Sequence, residues 1–154
     1  QNIANYVSTL ISAGAESFFI PNLPDLSLTP FAQIAGIETI AHAFSVAFNA
    51  QLATLLDNLA LQFPFANIVQ FDINAVLMEA IQHPSQFGFN DAQNACLLAM
   101  CSNPEAFVFW DDFHPTTHAH GFFASLFANA LPVPATLLLV IIGLPLIRLF
   151  RSSR

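Results

Sequence analysis

Residues Trp110–His120 read WDDFHPTTHAH, and they follow the short apolar run Phe107–Trp110 (FVFW). Four apolar residues with three aromatics predict a buried strand that ends at Trp110. Asp111 then stands at the C-terminal end of the strand, where ligands bind in open α/β sheets. Pro115 is placed to open a helix running to about Asn129, and it biases His114 toward an extended backbone. Across this turn the Asp111 carboxylate can accept a hydrogen bond from Nδ1–H of His114. That bond would fix the ring's tautomer and leave Nε2 free as a general base for a hydroxyl. Local chemistry alone leaves a plainer reading open, in which Asp111 simply caps the turn before a helix.

On both sides of this segment the chain is expected to alternate helix and strand. Asn2–Ala13 has apolar residues at Ile3, Tyr6, Val7, Leu10 and Ile11, and Gly14 stops it. Ser17–Ile20 is a short strand that ends in the proline-rich loop PNLPDLSLTP. Thr29-Pro30 is a cap with proline at the first helical position. From there, apolar spacing from Ile34 to Leu59 predicts one long helix to about Gln62, closed by Pro64. Ile68–Phe71 is a second strand, and Asp72 caps a helix that ends at His83-Pro84. A loop, SQFGFNDAQNAC, leads to Cys101, and Phe107–Trp110 is the third strand. This order implies an α/β fold with parallel strands covered by helices on both faces.

Charge excludes several functions. All ten carboxylates lie between Glu16 and Asp112, and the three cations, Arg148, Arg151 and Arg154, lie in the last seven residues. A domain with no cations cannot neutralise phosphates, so no nucleic-acid partner is expected. His114, His118 and His120 beside Asp111 and Asp112 could be read as a metal cluster. On a helix, however, His120 falls about 200° round from His118, so neither metal nor cofactor is expected. His42 and His83 stand alone and read as ordinary partly buried or capping residues.

Residues 131–154 differ in kind. LPVPA is a stiff linker, and Leu137–Ile147 holds nine Leu, Ile or Val residues before RLFRSSR. At roughly −0.5 kcal/mol per residue, insertion of this run into a bilayer gains on the order of 4–5 kcal/mol. Residues 135–150 are therefore expected to meet a membrane, with the arginines inside and residues 1–130 facing outward. A buried terminal helix is the alternative. Cys96 and Cys101 suit an oxidising compartment and could be bridged; two buried free thiols are the alternative.

The segment DxxHPT after a short aromatic strand, with TTHAHGFFA behind it, resembles the last conserved block of the SGNH (GDSL-type) hydrolases. FFIPNLPDLSLTP is similar to that family's strand-plus-loop after its oxyanion-hole Asn. IVQFDINAVLMEAIQHPSQFGFNDAQNAC resembles its secreted lipase and esterase branch. The match covers about residues 1–130 and implies the C-terminal part of a hydrolase domain. The implied fold is a three-layer α/β/α, flavodoxin-like one, incomplete, with the last three parallel strands of the sheet plus a C-terminal hydrophobic helix. By this resemblance Asp111 and His114 are the acid and base of a Ser-His-Asp triad, and an ester or lipid is the substrate. Asn22, Pro24 and Asp25 are candidates for a substrate loop. The five glycines include none before an Asp-Ser pair, so the nucleophile and oxyanion-hole residues are expected to precede Gln1. The chain by itself is accordingly expected to be inactive. A non-catalytic domain that keeps the fold is the alternative.

The tail PVPATLLLVIIGLPLIRLFRSSR is similar to PEP-CTERM sorting signals, with Val133-Pro134-Ala135 at the motif. This resemblance implies a bacterial protein exported to the periplasm or cell surface, held transiently in the inner membrane and recognised by an exosortase.

Overall fold

The computed structural model describes residues 2–131. The expected C-terminal hydrophobic helix, the linker and the basic tail lie outside the described residues. Within them the chain is mixed α/β with short parallel sheets. Helix α1 (Asn2–Ser12) is followed by β1 (Ser17–Pro21), a 3-10 turn at Leu26–Leu28, α2 (Pro30–Ala35) and α3 (Glu38–Gln62). Next come β2 (Asn67–Phe71), α4 (Ile73–Gln82), β3 (Asp91–Ala95), β4 (Phe107–Phe109) and α5 (Thr117–Ala130).

The caps follow the residues that the sequence offers. Thr29 accepts a hydrogen bond from the Ala32 N–H, Asp72 from Ala75 and Thr116 from Ala119. Two expectations about helices need correction. The long helix from Pro30 to Gln62 is broken, because Gly36 adopts a left-handed conformation (φ 66°) and closes α2 with its N–H on Ala32 and Gln33. The last helix starts at Thr117 rather than at Pro115. Pro115 instead forms an isolated antiparallel bridge with Phe109, and Thr116 serves as the cap.

The strands pair in parallel, but not as one three-stranded sheet. β1 runs beside β2 in register from Ser17 with Asn67 to Pro21 with Phe71. β3 runs beside β4, making a second two-stranded sheet. Strand β3 occupies part of what reads as a loop, since Asp91–Ala95 (DAQNA) has no β-branched or aromatic residue to announce a strand. Parallel neighbours need a crossover of about a dozen residues. Between β3 and β4 the loop that supplies it is stapled by a disulfide between Cys96 and Cys101, whose Cα atoms are 5.0 Å apart.

Two apolar clusters hold these units. Val7 and Ile11 of α1 pack with Leu52, Leu56 and Leu59 of α3, against Phe18, Ile20 and Ile68 of the first sheet. α3 is long and apolar enough to cross a membrane by length and composition, yet these contacts make it the main core helix of this half. Leu77 of α4 packs with Phe89, Ala92, Val108, Phe109 and Ala119. Phe127 of α5 joins the halves, with its ring 5.2 Å from that of Phe19 and 5.0 Å from that of Phe71, both edge-on.

Candidate active site

The segment after β4 builds the site. The Trp110 N–H donates to the His114 carbonyl at 2.7 Å and the Thr116 N–H to the Val108 carbonyl at 2.9 Å, so residues 111–113 form the tip of a closed turn. Asp111 organises that tip. Its Oδ1 accepts from the N–H of Phe113 (2.8 Å) and of His114 (2.6 Å). The same carboxylate meets Nδ1 of the His114 ring, at 3.0 Å from Oδ1 and 2.9 Å from Oδ2. Capping and orientation of the imidazole, which the sequence offers as alternatives, are performed by one side chain.

Electrostatics agree with an ionised Asp111. The His114 N–H lowers its carboxyl below the usual carboxylate range, slight burial opposes this, and the Phe113 N–H and the His114 ring lower it further. The His114 side chain is 74% exposed and Asp111 28%. With Nδ1 engaged by the carboxylate, the imidazole presents Nε2 on its open side. A basic nitrogen held there by an ionised acceptor can take a proton from a hydroxyl.

The remaining histidines are placed apart from this pair. His118 contacts the Glu105 carbonyl through Nδ1 at 2.7 Å, and its ring lies 4.8 Å from that of Phe89. Glycine is favoured at Gly88, because its backbone is left-handed (φ 83°) and an added Cβ would press on the His118 ring at 3.1 Å. His120 lines a cleft of about 380 Å³ with Glu105, Trp110, Pro115 and Thr117. Among the described residues no group of three or more His, Cys, Asp or Glu could hold a metal ion.

Residues of the 22–25 loop are tied inward. Asn22 donates to the Asp72 carboxylate (2.8 Å) and accepts from the Asn74 N–H (3.0 Å). The Leu23 N–H and carbonyl are both bonded to the Asn49 amide. Asp25, 8% exposed, accepts from Ser27 and meets Nδ1 of His42 at 2.6 Å. Burial acts to raise the Asp25 carboxyl, but the hydrogen bonds from His42 and Ser27 outweigh it and hold the group below its ordinary value. This loop reaches the Asp111–His114 turn through α2, where the Phe31 N–H donates to the Asp112 carbonyl at 3.0 Å.

His42, Asn49 and Asn74 as partners of this loop, and Phe31 as a neighbour of the turn, do not show in the sequence. No local spacing signals them. His42 lies 17 residues from Asp25, and Asn74 lies 49.

Residues 1–127 match the family model described as GDSL-like lipase/acylhydrolase. The chain is 29% identical over 138 residues to a GDSL esterase/lipase of Arabidopsis thaliana, covering 76% of this chain and 38% of the relative. It is 26% identical over 153 residues to GDSL esterase/lipase 5 of the same plant, covering 83% and 40%. A further Arabidopsis GDSL esterase/lipase is 31% identical over 121 residues, covering 74% and 35%. The chain thus spans about two-fifths of the length of the curated relatives it matches.

Proposed function

Since the chain belongs to the GDSL-like lipase/acylhydrolase family, we propose that it carries the acid and base of a serine ester hydrolase whose nucleophile lies outside these 154 residues. The observation that carries this reading is the two-point engagement of His114 by Asp111, through both the backbone N–H and the ring Nδ1. In the proposed reaction His114 Nε2 removes the proton of a serine hydroxyl as its Oγ attacks the ester carbonyl. The imidazolium, stabilised by Asp111, then protonates the departing alkoxide and leaves an acyl-serine. His114 next deprotonates a water that attacks the acyl-serine, and returns that proton to the serine as the acid is released. The substrate class is a carboxylic ester or lipid.

Coverage of only two-fifths of the relatives supports the assignment of the serine and the oxyanion donors to other polypeptide. Asn22, Pro24 and Asp25 would contribute to substrate binding through the shape of their loop, because the Asn22 and Asp25 side chains are engaged internally. The disulfide favours an exported protein, since such bonds persist in oxidising compartments. Transient membrane anchoring and exosortase recognition rest on residues 131–154 alone.

The experiment compares two polypeptides on a chromogenic short-chain ester. The 154-residue chain should show no turnover. A longer reading frame containing a Gly-Asp-Ser turn should be active and lose that activity with His114→Ala. Turnover that survives His114→Ala excludes the proposed base. A full-length frame with no Gly-Asp-Ser would favour the second reading, a non-catalytic domain that keeps the fold.

A further inference from the structure

We infer that Phe31 is a positioning residue for the Asp111–His114 pair, with α2 acting as a clamp on the turn that carries both side chains. This inference rests on the acid–base reading above and adds to it a residue 80 positions away in the chain.

The turn needs an external support. Its base is fixed by the Trp110–His114 and Thr116–Val108 bonds, but residues 111–113 project from it. Phe113 at the tip is 50% exposed. Among the described residues, the backbone hydrogen bond that reaches residues 111–113 from another element is the one from Phe31 to the Asp112 carbonyl. Its donor is available for a simple reason. The first N–H groups of a helix have no intrahelical acceptor, Pro30 has none to offer, and Thr29 spends its side-chain oxygen on Ala32. The N–H of Phe31 therefore points out of the helix, and Asp112 receives it.

The side chain repeats the contact. The rings of Phe31 and Phe113 are stacked with centroids 4.4 Å apart and planes 29° from parallel. The two contacts hold the two residues that follow Asp111, and the second of them, Phe113, also donates its N–H to the Asp111 carboxylate. Displacing Phe113 would move a donor that helps to hold Asp111 ionised and in place.

A clamp must itself be anchored, and the loop before α2 is. Leu26 donates to Ser45 of α3, Asp25 is bonded to His42 of α3, and the Asp25 N–H donates to Asn74 of α4. Thr29 closes the sequence by donating its hydroxyl to the Leu26 carbonyl. The polar bonds of the 22–29 loop thereby fix the place from which Phe31 reaches the turn. A purely structural role, covering apolar area, would affect stability without affecting the turn's own hydrogen bonds.

The test reads those bonds by NMR on the 154-residue chain, without turnover. In Phe31→Ala the Asp111 carboxyl should titrate at higher pH than in the unsubstituted chain. Amide exchange of Phe113 and His114 should accelerate several-fold more than that of core amides such as Val108. Phe31→Tyr should restore both readings. Should Phe31→Ala fail to fold, Phe31→Leu keeps the apolar bulk without the stack and should show the same changes. Unchanged Asp111 titration and exchange in the folded variant would overturn the inference, as would a loss of Tm with those readings intact. The catalytic reading is judged separately, by the loss of turnover in His114→Ala of the longer polypeptide.

Discussion

Oδ1 of Asp111 lies 2.6 Å from the backbone nitrogen of His114, while the two oxygens of the same carboxylate lie 3.0 and 2.9 Å from the Nδ1 of its ring. One group thus sets both the main chain and the side chain of the proposed base. The two tasks can be separated by Asp111→Asn, which keeps an oxygen for the backbone donors but removes the charge. Folding should persist, with a loss of stability of about 1 kcal/mol, whereas hydrolysis by an active polypeptide should fall by roughly 10³–10⁴. Steady-state kcat beside a urea melt checks both. A variant with near-normal kcat would show that capping is all Asp111 does.

Acid should destabilise the chain through its depressed carboxyls. Asp25, Asp91 and Asp111 all titrate below their ordinary value when folded, so the unfolded chain binds protons first as pH falls. Their contribution is complete above the unfolded value near 3.9 and is lost as pH drops through the folded values. Stability followed by urea midpoint should hold from pH 6 to about 4.5 and then decline. Asp25→Asn should flatten part of that decline, and an unchanged acid limb would contradict the role assigned to the Asp25–His42 bond.

The disulfide between Cys96 and Cys101 closes a short loop, which limits its entropic effect to about 2 kcal/mol. Reduction, or the double replacement Cys96→Ser/Cys101→Ser, should lower stability by about that amount and leave the chain folded. The same loop is also held through the N–H groups of Cys96 and Leu97, bonded to the Phe109 and Trp110 carbonyls. Complete unfolding on reduction, seen by circular dichroism, would mean that these bonds and the core around Phe109 count for less.

Phe127 should matter more than its position near the end of α5 suggests. It meets Phe19 of β1 and Phe71 of β2 edge-on, and so ties α5, packed on β4, to the other sheet. Phe127→Ala should cost about 2–4 kcal/mol. Phe127→Leu, which keeps apolar volume, should cost less than half as much. Equal losses in the two variants, by chemical denaturation, would argue against specific ring packing at this point.

Elements with strong local signals are legible in the sequence alone. Thr29-Pro30, Asp72 with the helix behind it, and the aromatic strand before Asp111 each carry their cause within a few residues, because caps and short strands are decided by neighbours in the chain. Strand β3 is not legible in this way. DAQNA is polar and unbranched, and it forms a strand because Phe107–Phe109 lies alongside it. The break at Gly36 has its residue in plain view, but apolar spacing continues across it. Its left-handed backbone ends α2, the helix whose first free N–H reaches Asp112.

The residues alone thus announce a mixed α/β chain, most of its caps, and the closeness of Asp111 to His114, three residues apart across one turn. Packing alone supplies the long-range contacts: Phe31 stacked on the turn of that pair, and, elsewhere in the molecule, His42 on Asp25 and Phe127 across Phe19 and Phe71. The physical reason is range. Caps and turn bonds act over a few residues and leave a pattern in the chain, whereas a stack or hydrogen bond between residues 17 to 108 positions apart depends on how helices and sheets pack, and no local spacing records that.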